Sequence, residues 1–407
     1  MRILFVHQNF PGQFRHLAPA LAADPRNEVV AFTMNEYPGT EAIQVIRYKG
    51  SRSSSHSIHP WVSDFETKVI RGEGAYQIAR KIRTAGFTPD VIIAHPGWGE
   101  SLFLKDVWPN ARLGLYCEYY YHYSGADVGF DPEFPLSNQD VSCRVRLKNA
   151  NMLLNLEMAE AGISPTKWQA GRFPEFFRKK ITVIHDGIDT SLAAPDSAAS
   201  ITLDNTLTIT RNDEVITFVN RNLEPYRAYH IFMRALPAIM RRRPKARVLI
   251  VGGDGNSYGD KPPGGNTWKD LFYNEVKDKL DLERVHFLGM VPYQYFLRIL
   301  QVSSVHVYGT YPHVLSWSLL EAMSAGCAIV ASDTAPLHEV ISRDETGKLV
   351  GFFDIDKLAD CVCGLLEDPS ERARLGSAAR NFILHNYDLD SLCLPRQIAW
   401  VNDLAGI

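Results

Sequence analysis

A capped helix start with a carboxylate one turn further in can hold a phosphorylated ligand that also bears hydroxyls, and residues 308–340 contain such an arrangement. The run Y-G-T-Y-P-H-V-L-S-W-S-L-L-E-A-M-S-A-G-C-A-I-V-A-S follows an apolar strand over Val305–Tyr308, and it begins with a short turn carrying His313. An amphipathic helix then starts near Ser316, and a buried stretch covers 327–331. Ser316 or Ser318 can cap the helix, so the free N–H groups and positive dipole end around Val314, Leu315 and Ser316 face the mouth of the turn. Glu321 lies about one turn inward, within reach of hydroxyls attached to a bound anion, and Gly326 supplies the helix stop. The same residues also fit a plain strand-helix-strand crossover with a surface glutamate.

Other stretches carry groups of the same kind. After a strand over 215–219, Arg221 and Arg227 flank a turn that precedes a helix, where two guanidinium groups could close on a diphosphate. The first strand, residues 2–7, breaks into a loop with Gly12 and Gln13, at the carboxyl edge where open α/β sheets bind ligands. A strand over 90–94 runs into His95-Pro-Gly-Trp-Gly-Glu100, which offers a histidine, an indole face and a carboxylate to a polyhydroxylated ligand; packing is the plainer role for the Trp. The strand over 113–117 leads to Glu118 and His122. Gly252-Gly-Asp-Gly255 lacks G-x-G-x-x-G and follows the second strand of its half, which argues against a dinucleotide site.

Apolar strands alternating with helical patterns make both halves α/β, each doubly wound. Further strands are expected over Glu28–Thr33, 181–189, Arg247–Gly253 and 285–291, and helices over Ile355–Glu367, 370–384 and 388–404. The small, polar, aperiodic run 190–205 is the expected linker, and a long polar loop extends from Gly253 to Thr267. Residues 172–180, basic with three Phe, read as a helix end with a solvated charged face, with a membrane-surface patch as the alternative.

The pattern S-L-L-E-A-M-S-A-G-C-A-I-V-A-S resembles the nucleotide-sugar motif of the retaining GT-B glycosyltransferases of family 4. That motif is E-x7-E; Glu321 matches its second Glu, and His313 stands where the first would be. N-R-N-L-E-P-Y-R-A at 220–228 is similar to the family's G-R-L-x-x-x-K-G, one residue longer, with Arg221 and Arg227 for its Arg and Lys and Ala228 for its last Gly. G-I-S-P-T at 162–166 and V-I-H-D-G-I-D at 183–189 resemble two further family strands.

The resemblance implies two Rossmann-like domains facing across a cleft: an acceptor-side domain over 1–195 with the C-terminal helix 385–407 packed back on it, and a nucleotide-sugar domain over 205–384. It implies donor contacts from Gly12, Gln13, Met290, Val291, His313, Val314, Leu315, Ser316 and Glu321, catalytic roles for Arg221 and Arg227, and a further catalytic position at the end of the strand over 113–117, for which Glu118, His95 and His122 are the candidates. The implied reaction moves a sugar, with retention, from a nucleotide diphosphate sugar to a sugar, lipid-linked or protein acceptor. No cofactor and no metal are expected, because the one D-L-D run, at 388–390, falls in the tail. A nucleotide-sugar epimerase of the same architecture and a non-catalytic sugar-nucleotide-binding subunit stay open; a phosphorylase is disfavoured, since no lysine suited to pyridoxal phosphate stands out.

Composition sets the outer bounds. The 407 residues suffice for two domains, and 45% hydrophobic with 22% charged residues describes an ordinary globular chain. A net charge of −3 argues against a nucleic-acid partner. No apolar run is long enough to span a bilayer, and the opening M-R-I-L-F-V-H-Q-N-F reads as a core strand, not a signal peptide. Six cysteines without zinc spacing read as reduced thiols, so a cytoplasmic protein is expected, with peripheral attachment to the inner membrane face as the variant of that reading.

Overall fold

The computed structural model describes residues 1–37, 41–55, 57–135, 140–204 and 206–407. They form two compact units, Met1–Gly187 with Asp390–Ile407, and Ile188–Leu389.

In the first unit a parallel sheet is built from β1 (Arg2–Val6), β2 (Glu28–Thr33), β3 (Ile43–Arg47), β4 (Val91–Ala94), β5 (Arg112–Tyr116), β6 (Ala161–Ser164) and β7 (Ile181–Val183). Their order is β3-β2-β1-β4-β5-β6-β7, so the winding reverses between β1 and β4. β1 and β4 are apolar along nearly their whole length because helices cover both faces of the sheet; Ile3 to Val6 and Val91 to Ala94 are fully buried. The last helix, Leu394–Ala405, closes this core with Trp400, Val401 and Leu404. Gly114 of β5 makes room for it, since a Cβ there would come within 2.6 Å of Trp400 and Leu404.

The second unit opens with a hairpin of β8 (Ser200–Leu203) and β9 (Leu207–Thr210), antiparallel in register Ile201↔Ile209. Part of the expected linker is therefore strand: its Ser/Thr-rich run alternates, and Ile201 and Leu203 point into the core. Asn205, the last residue of that expected linker, lies outside the described residues. A second parallel sheet follows, from β10 (Val215–Asn222), β11 (Arg247–Gly253), β12 (Val285–Gly289), β13 (Val305–Tyr308), β14 (Ala328–Ser332) and β15 (Lys348–Val350). Its order, β12-β11-β10-β13-β14-β15, reverses between β10 and β13.

The sequence expectations over 181–189 and 285–291 overshoot, since β7 stops at Val183 and β12 at Gly289, whose φ of 63° ends the strand. Two of the three Phe in 172–180, Phe173 and Phe177, are core residues, and only Phe176 is exposed; this supports the solvated helix end. All six cysteines are free. Among the described residues no helix is long and apolar enough to cross a membrane.

Candidate functional site

In the second unit the candidate residues collect at the carboxyl ends of β10 to β13, around the switch point where open α/β sheets bind ligands. The helix after β13 spans Trp317–Ser324 and is capped by Ser316, whose side chain accepts from Ser318 N–H. Gly326, at φ 77°, closes it: its N–H bonds Met323 O, and Cys327 N–H bonds Ala322 O. Ser316 N–H donates to the Tyr308 hydroxyl at 3.1 Å, which pins the helix start over the end of β13. Glu321 is buried one turn in, and its Oε1 accepts from the Tyr293 hydroxyl at 2.8 Å. Met290, in the turn after β12 and not in a strand, is exposed, with Val291 half-buried beside it.

The two arginines are not equivalent. Arg221 belongs to the last residues of β10, not to the turn, and is exposed; among the described residues its side chain has no hydrogen-bond or ion-pair partner. Arg227 is buried and donates through Nη1 to Tyr308 Oη at 3.0 Å, Thr310 Oγ1 at 2.9 Å and the Val314 carbonyl at 3.0 Å. It ties the loop after β13 to the turn after β10. Burial opposes its charge, yet Tyr308, Tyr258 and Glu224 around it outweigh that, so its pKa is raised. Ala228 takes the left-handed φ of 58° that favours glycine, and Gly309 opposite provides the space for its methyl group; a Cβ at 309 would lie 2.2 Å from Ala228 Cβ.

His313 is buried, with its ring 4.8 Å from that of Tyr258 and 5.8 Å, edge-on, from that of Tyr226. Tyr226 also packs 4.5 Å from Tyr311. Asn220, one residue before Arg221, is buried with its amide nitrogen unpartnered, a donor left for a ligand oxygen at the switch point. Motif reading missed Asn220, Tyr258 and Tyr293.

The first unit gathers a different set at its own switch point. His7 follows β1, His95 follows β4 and Glu118 follows β5, and Gln13 joins them. His7 Nδ1 accepts from Asn9 N–H at 3.0 Å, so its proton sits on Nε2 and is given to Gln13 Oε1 at 2.6 Å. Gln13 Nε2 donates to Glu118 Oε1 at 2.9 Å. His95 Nδ1 likewise accepts from Gly97 N–H, which leaves Nε2–H for Glu118 Oε2 at 3.1 Å. Glu118, one-third exposed, is thus an acceptor supplied from two sides. Burial and the neighbouring His95 lower the His7 pKa to about 3. Gly12, at φ 47°, has to be glycine, because a Cβ would come within 2.3 Å of the His7 ring.

Of three more side chains from the sequence reading, one packs on this cluster and two lie elsewhere in the fold. Trp98 stacks on His95 at 4.2 Å and packs against His7 at 4.8 Å, which is the packing role. Glu100 is fully buried against the Tyr48 hydroxyl, and burial raises its pKa. His122 bonds the Arg172 carbonyl through Nε2. His7 was missed, since a histidine after an apolar run looks like the last residue of the strand.

Two units, each a doubly wound parallel sheet with polar groups at its reversal point, define the GT-B architecture. Over the whole chain the fold superposes on sucrose-phosphate synthase from Thermosynechococcus elongatus with a TM-score of 0.74 at 19% identity, covering 100% of both chains. For Anabaena HepE in complex with UDP and glucose the TM-score is 0.68 at 16% identity, covering 99% of each.

A family model for the glycosyl transferase family 4 group matches residues 25–193, and one for glycosyl transferases group 1 matches 202–382. The chain belongs to the group 1, family-4 type glycosyltransferases. Among curated relatives, D-inositol 3-phosphate glycosyltransferase of Corynebacterium glutamicum is 26% identical over 49% of this chain and 46% of its own length. Phosphatidyl-myo-inositol mannosyltransferase of Mycolicibacterium smegmatis is 31% identical over 44% of this chain and 42% of its own length. These matches span less than half the length of the relatives.

Proposed function

We propose that the chain transfers a glycosyl group, with retention and without a metal, from a nucleoside diphosphate sugar to a hydroxylated acceptor. The observation that carries this reading is the collection at one switch point of an unpartnered Arg221, a Ser316-capped helix start and the buried Glu321. Arg221 and the helix start neutralise the departing diphosphate, the work a metal does in other transferases. Glu321, aligned by Tyr293, takes the ribose hydroxyls, and the exposed Met290 covers the base. Glu118, with His95 and Gln13 fixing its oxygens, orients hydroxyls of the acceptor or of the transferred sugar. Inositol-bearing acceptors are the first to try, given the names of the curated relatives.

The test is a panel of UDP-, GDP-, TDP- and ADP-sugars with and without EDTA, scored by thermal stabilisation and hydrolysis. NMR of the product with the best donor then reads the anomeric configuration. Stabilisation by no nucleoside diphosphate would sink the reading, an inverted product would remove retention, and loss of activity in EDTA would remove metal independence.

A further inference from the structure

The loop Gly253–Thr267 is longer than a β-α connection requires, and its hydrogen bonds show what it delivers. Glu224, almost fully buried, accepts from Ser257 N–H at 2.7 Å and Tyr258 N–H at 3.3 Å through one oxygen. Asn222 holds the same segment from the other side, donating to Ser257 Oγ at 2.7 Å and accepting from Gly255 N–H at 3.1 Å. Gly259, at φ 69°, lets the loop lie on Tyr226, since a Cβ there would sit 3.0 Å from that ring. Every one of these contacts fixes Tyr258. Its ring stacks on Tyr226 at 5.5 Å and 23°, lies 4.8 Å from His313 and has the Arg227 guanidinium 5.3 Å from its centre. Both tyrosines are only half-buried, so they keep ring surface for a ligand.

We infer that Tyr258 is a specificity-determining residue: with Tyr226 it forms an aromatic wall beside His313 that takes an apolar face or substituent of the donor's glycosyl group, such as a deoxy carbon or an N-acyl methyl. The inference rests on the donor reading above. Aromatic faces attract C–H surface and accept only weakly from a hydroxyl, and His313 makes fewer hydrogen bonds to vicinal hydroxyls than a carboxylate does. A donor with one hydroxyl removed or acylated therefore loses least in this pocket.

The experiment compares wild type, Tyr258→Phe, Tyr258→Leu and Tyr258→Ala on donor pairs that share a base and differ at one sugar position, hydroxyl against hydrogen or N-acetyl. Calorimetry of the free nucleoside diphosphate is run alongside. Wild type should prefer the apolar member in kcat/KM, with Tyr258→Phe retaining the preference. Tyr258→Ala and Tyr258→Leu should lower it about tenfold, mainly through KM, with nucleoside diphosphate affinity changed less than about threefold. An unaltered donor ranking in Tyr258→Leu, with nucleotide binding intact, overturns the inference and leaves the donor reading standing. Failure of wild type to bind any nucleoside diphosphate overturns both.

Discussion

Replacing Arg227 by Ala should damage the fold of the second unit before it damages chemistry. The guanidinium donates to Tyr308, Thr310 and the Val314 carbonyl, all on the segment that leads into the Ser316-capped helix. After truncation the Tyr308 hydroxyl still has the Ser316 N–H, so the groups left wanting are the buried Thr310 hydroxyl and the Val314 carbonyl. Hydrogen bonds to a charged donor are worth about 1.5–3 kcal/mol and a buried unsatisfied acceptor costs about 1–3 kcal/mol. Release of the desolvated guanidinium offsets part of that, which leaves a net loss of about 3 kcal/mol. In a unit of about 200 residues each kcal/mol moves the melting temperature by about 2–4 °C, so the transition should fall by about 6–12 °C. Arg227→Lys keeps the charge without the planar fork and should lose about half as much. Scanning calorimetry of the whole chain reads this, the second unit's transition being the one that nucleoside diphosphate raises. A fall of less than about 2 °C together with a large loss of nucleotide affinity would refute the reasoning, because the side chain would then serve the ligand and not the loop.

Arg221→Ala, at an exposed and unpartnered position, should leave both melting transitions in place and lower turnover about 10²-fold; equal losses in Km and kcat, or a lowered melting temperature, would count against it. Glu321→Ala should weaken nucleoside diphosphate binding by about 1.5–3 kcal/mol in calorimetry, and unchanged affinity would take Glu321 out of the site. Gly309→Ala should be strongly destabilising because of the 2.2 Å approach to Ala228, and adding Ala228→Gly should recover most of the loss; no recovery would mean the clash lies elsewhere. Burial, with smaller contributions from His95 and Arg15, holds His7 and His185 of the first unit at about 3, and burial alone does so for His306 of the second, against 6.5 in the unfolded chain. These depressed pKa values make the stabilisation complete above pH 6.5 and drain it as pH falls toward 3, by about 2 kcal/mol per ring at pH 5. Burial lowers the His286 pKa in the second unit as well, so both units' transitions should drop between pH 7.5 and 5, and a transition that holds its position would refute the assignment.

The parallel sheets were legible because their strands are buried on both faces and read as unbroken apolar runs, with Val305–Tyr308 and Arg247–Gly253 found to the residue. The β8–β9 hairpin was not, because threonines at alternate positions look like linker until Ile201 and Ile209 are seen to share a core. The helix start at Ser316 and the stop at Gly326 were legible, since capping chemistry is local. The different stations of Arg221 and Arg227 were not, because burial of a charge depends on Tyr308 and Thr310, some eighty residues on in the chain. His7 and Tyr258 stayed hidden for the same reason: both owe their position to partners that no short motif contains.

The two switch points differ in charge logic, and that difference bears on which substrate each can take. At the second unit's site the groups nearest a ligand's phosphates are donors or positive: Arg221, the Asn220 amide nitrogen and a capped helix start, with Glu321 set one turn further in and the Glu224 carboxylate already taken by Ser257 and Tyr258 N–H. Such a set favours a diphosphate. At the first unit's site the central group is a carboxylate, Glu118, and both nearby N–H donors, Gln13 Nε2 and His95 Nε2, are already directed at it. A phosphate brought there would meet a like charge, whereas a sugar or polyol hydroxyl would find an acceptor. Gln13 is spoken for at both ends of its amide, by His7 and by Glu118. The glycine loop therefore suits positioning Glu118 better than gripping donor phosphate, and His7→Phe should raise the KM for the hydroxylated substrate while leaving nucleoside diphosphate affinity unchanged. A weakened affinity for the nucleotide in that variant would return Gln13 to the phosphates and break the division of labour.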